Sequence, residues 1–257
     1  MKSKISGVLP QLTPHLIVAL DQLSEDEAYI VADDLQRAGV KWLKVGLELY
    51  TKSGPRIVSD FRSRGLNVFL DLKLHDIPNT VARAVAAAGE SGAELLTIHC
   101  SGGSAMLRAA RRAAEGTSIK LIGVTVLTSL GEEDVAELRA AWGAPDEKST
   151  RQAIADRLAS LAAGAGLHGI VCSVPDLAAG TFMRLAWERK PLFVTPGIRA
   201  ETEEAFDQKS TATIERAVRA GASHLVIGRP ILRPTAGSVA DAAARALEKI
   251  KEAGGVI

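Results

Sequence analysis

Asp71, Lys73 and Asp76 stand in the run Phe69-Leu-Asp71-Leu-Lys73-Leu-His75-Asp76-Ile-Pro78-Asn79-Thr80. That run otherwise reads as a buried strand, with Val68, Phe69, Leu70, Leu72 and Leu74 as its apolar residues. Charges in such a setting cost on the order of several kcal/mol each unless they are paired. Side chains alternate along a strand, so Asp71 and Lys73 are expected to share one face, with Asp76 just past the strand end. An apolar pair would fold as well, so stability does not explain the choice. Proton chemistry does. A lysine between two carboxylates is held protonated and becomes a fixed donor in a water-poor site.

Something must position those charges, and the chain shows what. Short apolar runs at 16–21, 42–47, 67–74, 94–100, 120–127, 169–173, 192–197 and 224–228 alternate with Ala-rich stretches of helical period, such as Ile154, Leu158 and Leu161. Ser24 with Glu27 three residues later makes a capping box, and Pro175 and Pro230 follow strand ends. Gly39, Gly65, Gly92, Gly116, Gly166 and Gly221 stand where helices should stop. Strands alternating with helices imply parallel pairing, and eight units in 257 residues fit a single-domain (β/α)₈ TIM barrel over 1–257. A doubly wound open sheet is the second choice; no G-x-G-x-x-G follows the first strand.

Composition narrows the function. Apolar residues make up 47% of the chain and mean hydropathy is +0.11, enough for a sizeable core. No apolar run approaches bilayer length and no signal peptide is visible, so the expected location is cytoplasmic, away from membrane. A net charge of +1 with 4% aromatics argues against nucleic acid as a partner. Cys100 and Cys172 have no metal or disulfide spacing and read as core residues.

In a barrel the strand C-terminal ends form the active face. Asp21 closes the first strand and Lys44 lies within the second, so with Asp71, Lys73 and Asp76 they make an alternating charge array across three neighbouring strands. Thr195-Pro196-Gly197-Ile198-Arg199 follows the seventh strand and Gly228-Arg229-Pro230-Ile231 the eighth, where such barrels bind phosphate. Glycine admits backbone N–H groups to the oxygens and arginine grips them bidentately. The acidic, polar segment 200–210 between them suggests a lid from which Gln208 could reach phosphate. Thr125, Thr128 and Ser129 after the fifth strand either bind a polar ring or cap the next helix. His99 either lines the site or is a satisfied core histidine, while His15, His168 and His224, at strand entrances, read as structural. The polar insert 143–150 is expected near the barrel mouth.

These stretches resemble the orotidine 5′-phosphate decarboxylase family, nearly end to end. Its D-x-K-x-x-D signature followed by I-P-x-T is similar to Asp71-Leu-Lys73-Leu-His75-Asp76-Ile-Pro78-Asn79-Thr80. Asp21 in Val-Ala-Leu-Asp and Lys44 in Leu-Lys-Val-Gly resemble its first-strand aspartate and second-strand lysine. Thr128-Ser129 resembles its pyrimidine-contacting segment; Pro-Gly-Ile-Arg199, Gln208 and Gly228-Arg229 resemble its phosphate gripper. The resemblance implies decarboxylation of orotidine 5′-monophosphate to uridine 5′-monophosphate, with Lys73 as proton donor, Asp71 and Asp76 beside it, and the remaining residues, Thr80 included, binding substrate. It implies no metal and no cofactor, and a homodimer in which Asp76 reaches the neighbouring subunit's site. Two rivals stand beside it. Ketulose-phosphate aldolases or decarboxylases on the same barrel carry D-x-K-x-x-D with a magnesium-bound enediolate, and a barrel could bind nucleotide without turning it over.

Overall fold

The computed structural model describes residues 14–143, 149–199 and 212–255. Within it eight parallel strands pair in chain order and close first to last: β1 (His15–Ala19), β2 (Trp42–Gly46), β3 (Asn67–Leu74), β4 (Leu95–His99), β5 (Lys120–Val124), β6 (Gly169–Val171), β7 (Leu192–Thr195) and β8 (His224–Ile227). Closure excludes the open doubly wound sheet. Each expected strand is present. Most C-terminal ends fall one to three residues earlier than the apolar runs suggest, because those runs continue into the loops that line the mouth.

The helices begin and end for legible reasons. Ser24 caps Glu25–Arg37 with its hydroxyl accepting from the Glu27 N–H at 3.3 Å, while the Glu27 carboxylate accepts from the Ser24 N–H at 2.7 Å. Pro78 opens Pro78–Glu90 at a position where its missing N–H costs nothing. All six glycines expected to stop helices adopt positive φ, between 71° and 92°, which an L side chain resists.

Alternation along each strand divides the core in two. Ile17, Ala19, Trp42, Phe69, Leu95, Ile122, Val194 and Val226 fill the barrel, while Leu16, Val18, Leu43, Leu70 and Leu96 pack under the helices. At the strand entrances the rings of His15 and Trp42 lie 5.0 and 5.3 Å from that of His224 and close the floor. His168 accepts the Leu121 N–H on its Nδ1 at 3.1 Å. These histidines are structural, as their positions suggest.

Candidate active site

The inward positions nearest the mouth split by chemistry. Ala19, Val124, Val171, Val194 and Val226 are apolar; Lys44, Asp71 and Thr97, on three consecutive strands, are polar and buried. Asp21, two residues past β1, brings a half-exposed carboxylate to Lys44 Nζ at 2.7 Å. Lys44 Nζ also lies 3.5 Å from Asp71 Oδ2, and that same oxygen accepts from Lys73 Nζ at 2.8 Å. Asp21, Lys44, Asp71 and Lys73 thus form a continuous chain of alternating charge. Each buried ion is answered by an opposite one, which is what makes the cluster tolerable.

Electrostatics follow from that order. Burial works against charge on Lys44, but Asp71 and Asp21 outweigh it and leave its pKa above the ordinary lysine value. Burial likewise opposes ionised Asp71, and Lys44, Lys73 and the Thr97 hydroxyl reverse it, leaving the carboxyl below the usual range. Gly46 makes room for the pair: a Cβ there would lie 2.5 Å from Asp21 Oδ1 and 3.0 Å from Lys44 Nζ.

Lys73 is not placed by simple strand alternation. From Leu70 to Leu74 β3 advances four residues while β4, from Leu96 to Ile98, advances two. The extra residues bulge, and Lys73 sits at φ +49°, a left-handed conformation costing roughly 1–3 kcal/mol in a non-glycine residue. Its N–H, taken out of the ladder, donates to Thr97 Oγ1 at 2.8 Å, and that hydroxyl donates to Asp71 Oδ1 at 3.0 Å. Thr97 is fully buried and was absent from the expected set. A hydroxyl on the inward face of an otherwise apolar strand was the available signal.

Across the mouth, the loops after β7 and β8 bring Gly197, Arg199, Gly228 and Arg229 to the same cavity, of about 290 Å³. Arg199 is nearly buried, and its backbone is fixed where its N–H donates to Ala212 O at 2.9 Å and the Ala212 N–H donates to Gly197 O at 3.1 Å. Gly197 carries φ +77°. The cavity therefore has a charged wall, an apolar floor and a cationic far end.

A profile of the orotidine 5′-phosphate decarboxylase / HUMPS family matches residues 14–246. The chain belongs to this family. Orotidine 5′-phosphate decarboxylases from Saccharophagus degradans (40% identical, covering 92% of this chain and 93% of that protein) and Chromobacterium violaceum (45%, 86% and 86%) are among its relatives. The crystal structure of orotidine 5′-phosphate decarboxylase from Lactobacillus acidophilus superposes with a TM-score of 0.75 at 30% identity, covering 95% of this chain and all of that one.

In this member of the decarboxylase family the remaining expected residues divide. Thr128 lines the cavity, but Ser129 is exposed beyond it, and Thr125 donates to Val171 O at 3.0 Å, tying β5 to β6. Arg151, from the helix Arg151–Gly164, steadies the same loops: its Nε donates to Leu130 O at 3.0 Å and its Nη1 to Asp176 at 2.6 Å. Asp76 and Thr80 are exposed and line no part of the cavity; Asp76 Oδ1 accepts from its neighbour Ile77 N–H at 2.7 Å. Within one chain Lys73 is therefore paired with Asp71 and with no second carboxylate among the described residues. His99 lies off the cavity with its ring centroid 5.5 Å from that of His75, and burial pushes its pKa down. Gln208 and most of the 143–150 insert lie outside the described residues, as does the expected lid.

Proposed function

We propose that the cavity binds orotidine 5′-monophosphate and releases uridine 5′-monophosphate and CO₂. The observation that carries this reading is the Asp21–Lys44–Asp71–Lys73 charge chain facing two arginines across one small cavity. The arginine end takes the phosphate with Gly228 and Gly197, and Gln208 joins it. Asp21 and Lys44 hold the ribose hydroxyls, and Thr128, on the cavity wall, meets the pyrimidine edge.

The C6–carboxylate bond breaks with its electron pair left on C6. The ring offers that pair no electron sink, so the transition state resembles a vinyl carbanion. Lys73 is placed to neutralise the developing charge and then to hand C6 a proton. An ammonium engaged with Asp71 is not the free amine that a Schiff base needs. Phosphate binding, remote from C6, supplies energy to seat and desolvate the ring.

The same proposal includes a cytoplasmic homodimer in which Asp76, with Thr80, completes the partner's site. Its support is that Asp76 is exposed at the mouth next to Ile77, while Leu47 follows the adjacent strand; these apolar side chains are 67% and 56% exposed.

A spectrophotometric assay with orotidine monophosphate, with and without EDTA, tests the activity. Chelator-insensitive loss of the substrate chromophore is expected. Activity abolished by EDTA and restored by magnesium would instead favour the ketulose-phosphate chemistry found on the same barrel.

A further inference from the structure

Thr97 does two things with one hydroxyl. Its single proton goes to Asp71 Oδ1 at 3.0 Å, and a lone pair accepts the Lys73 N–H at 2.8 Å. Because the proton is spent on the carboxylate, the oxygen faces the amide as an acceptor, and the two bonds reinforce each other. Asp71 is thereby held with Oδ1 on the hydroxyl and Oδ2 on the Lys73 ammonium. The same hydroxyl supplies the partner that the bulged backbone needs at Lys73, where φ is +49° and the ladder with β4 is interrupted. No part of Thr97 is exposed, so no water can replace it from bulk.

We propose that Thr97 is a positioning residue for the proton donor. It fixes the Asp71 carboxylate and the β3 bulge together, and so sets where Lys73 Nζ meets the reacting carbon. The kinetic consequence rests on the decarboxylase reading above; the structural consequence does not.

Thr97→Val removes the hydroxyl at nearly constant volume, and Thr97→Ser restores it. Thr97→Val should lower kcat for orotidine monophosphate by about tenfold to a hundredfold, the loss expected for a hydrogen bond to a charged group, with KM changed less than about threefold. Its acid limb in kcat should move to higher pH, because ionised Asp71 loses a donor. Thr97→Ser should keep kcat within about threefold of wild type. Crystal structures supply an independent arm: Lys73 should leave the left-handed region in Thr97→Val and keep it in Thr97→Ser. The inference is overturned by unchanged kcat in Thr97→Val, by an equal loss in Thr97→Ser, or by an unaltered Lys73 backbone and Asp71 contact in Thr97→Val. Should Thr97→Val not fold, Thr97→Cys, with its weak donor and acceptor, takes its place with the same expectations. Should the wild-type chain not decarboxylate the nucleotide, the proposed function falls and the structural arm alone decides the role of Thr97.

Discussion

Asp71 accepts from Lys73 and Thr97 and sits within ion-pair reach of Lys44, so its charge is fixed before any ligand arrives. The buried charges were legible in the sequence because an ion within an apolar strand has few explanations. Thr97 and Gly46 were not: a hydroxyl or a glycine in a strand has many bland uses, and their roles depend on the neighbouring strand. The arginines show a different division of labour. Arg229 lines the cavity at the end opposite Lys73, so its contribution to rate should come through binding energy alone. Arg229→Ala should cost about 1.5–3 kcal/mol in kcat/KM for the nucleotide, roughly tenfold to a hundredfold. With a nucleoside lacking phosphate the same change should matter little; an equal loss on both substrates would make Arg229 structural.

Strand existence was readable throughout, since eight apolar runs between helical stretches admit few other folds. Register inside β3 was not. Alternation does put Asp71 and Lys73 on one side, but the structure reaches that outcome through a bulge and a left-handed lysine, which depend on β4. The junction after β3 carries the second element-scale consequence. Asp76 lies between the strand and the helix Pro78–Glu90, where Ile77 precedes a proline and is steered away from helical backbone. Its carboxylate is exposed and outside its own cavity. If it serves a partner's site, mixing inactive Lys73→Ala with inactive Asp76→Ala under subunit exchange should restore activity. A mixed dimer then has one site with both lesions and one with neither, so about a quarter of wild-type activity is expected for a closed two-fold dimer. A mixture that stays inactive despite demonstrated exchange would assign Asp76 to its own subunit.

Over the whole barrel, chemistry gathers at the strand C-terminal ends and stability at the entrances. Burial first, then His15 and Lys120, lowers the His224 pKa from 6.5 to about 3, so the folded protein keeps this ring neutral. The unfolded chain takes up the proton near pH 6.5. His224 therefore costs no stability above that pH, and stability falls as pH drops from 6.5 toward 3, by up to about 1.4 kcal/mol per pH unit for this one proton. Thermal melts between pH 7 and 4 should show a shallower decline for His224→Gln than for wild type; parallel curves would remove His224 from the acid response. At the mouth of the same barrel, the proposed mechanism has Lys73 exchange a proton with C6. A proton step that runs forward must also run in reverse, so bound uridine monophosphate should lose its C6 hydrogen to Lys73. The direct measurement follows C6-deuterated uridine monophosphate in ordinary water by proton NMR, with wild type and with Lys73→Ala shown separately to bind the nucleotide. Appearance of the C6 proton with wild type, and its loss by several orders of magnitude with Lys73→Ala, is the predicted result; exchange by Lys73→Ala within tenfold of wild type would contradict it.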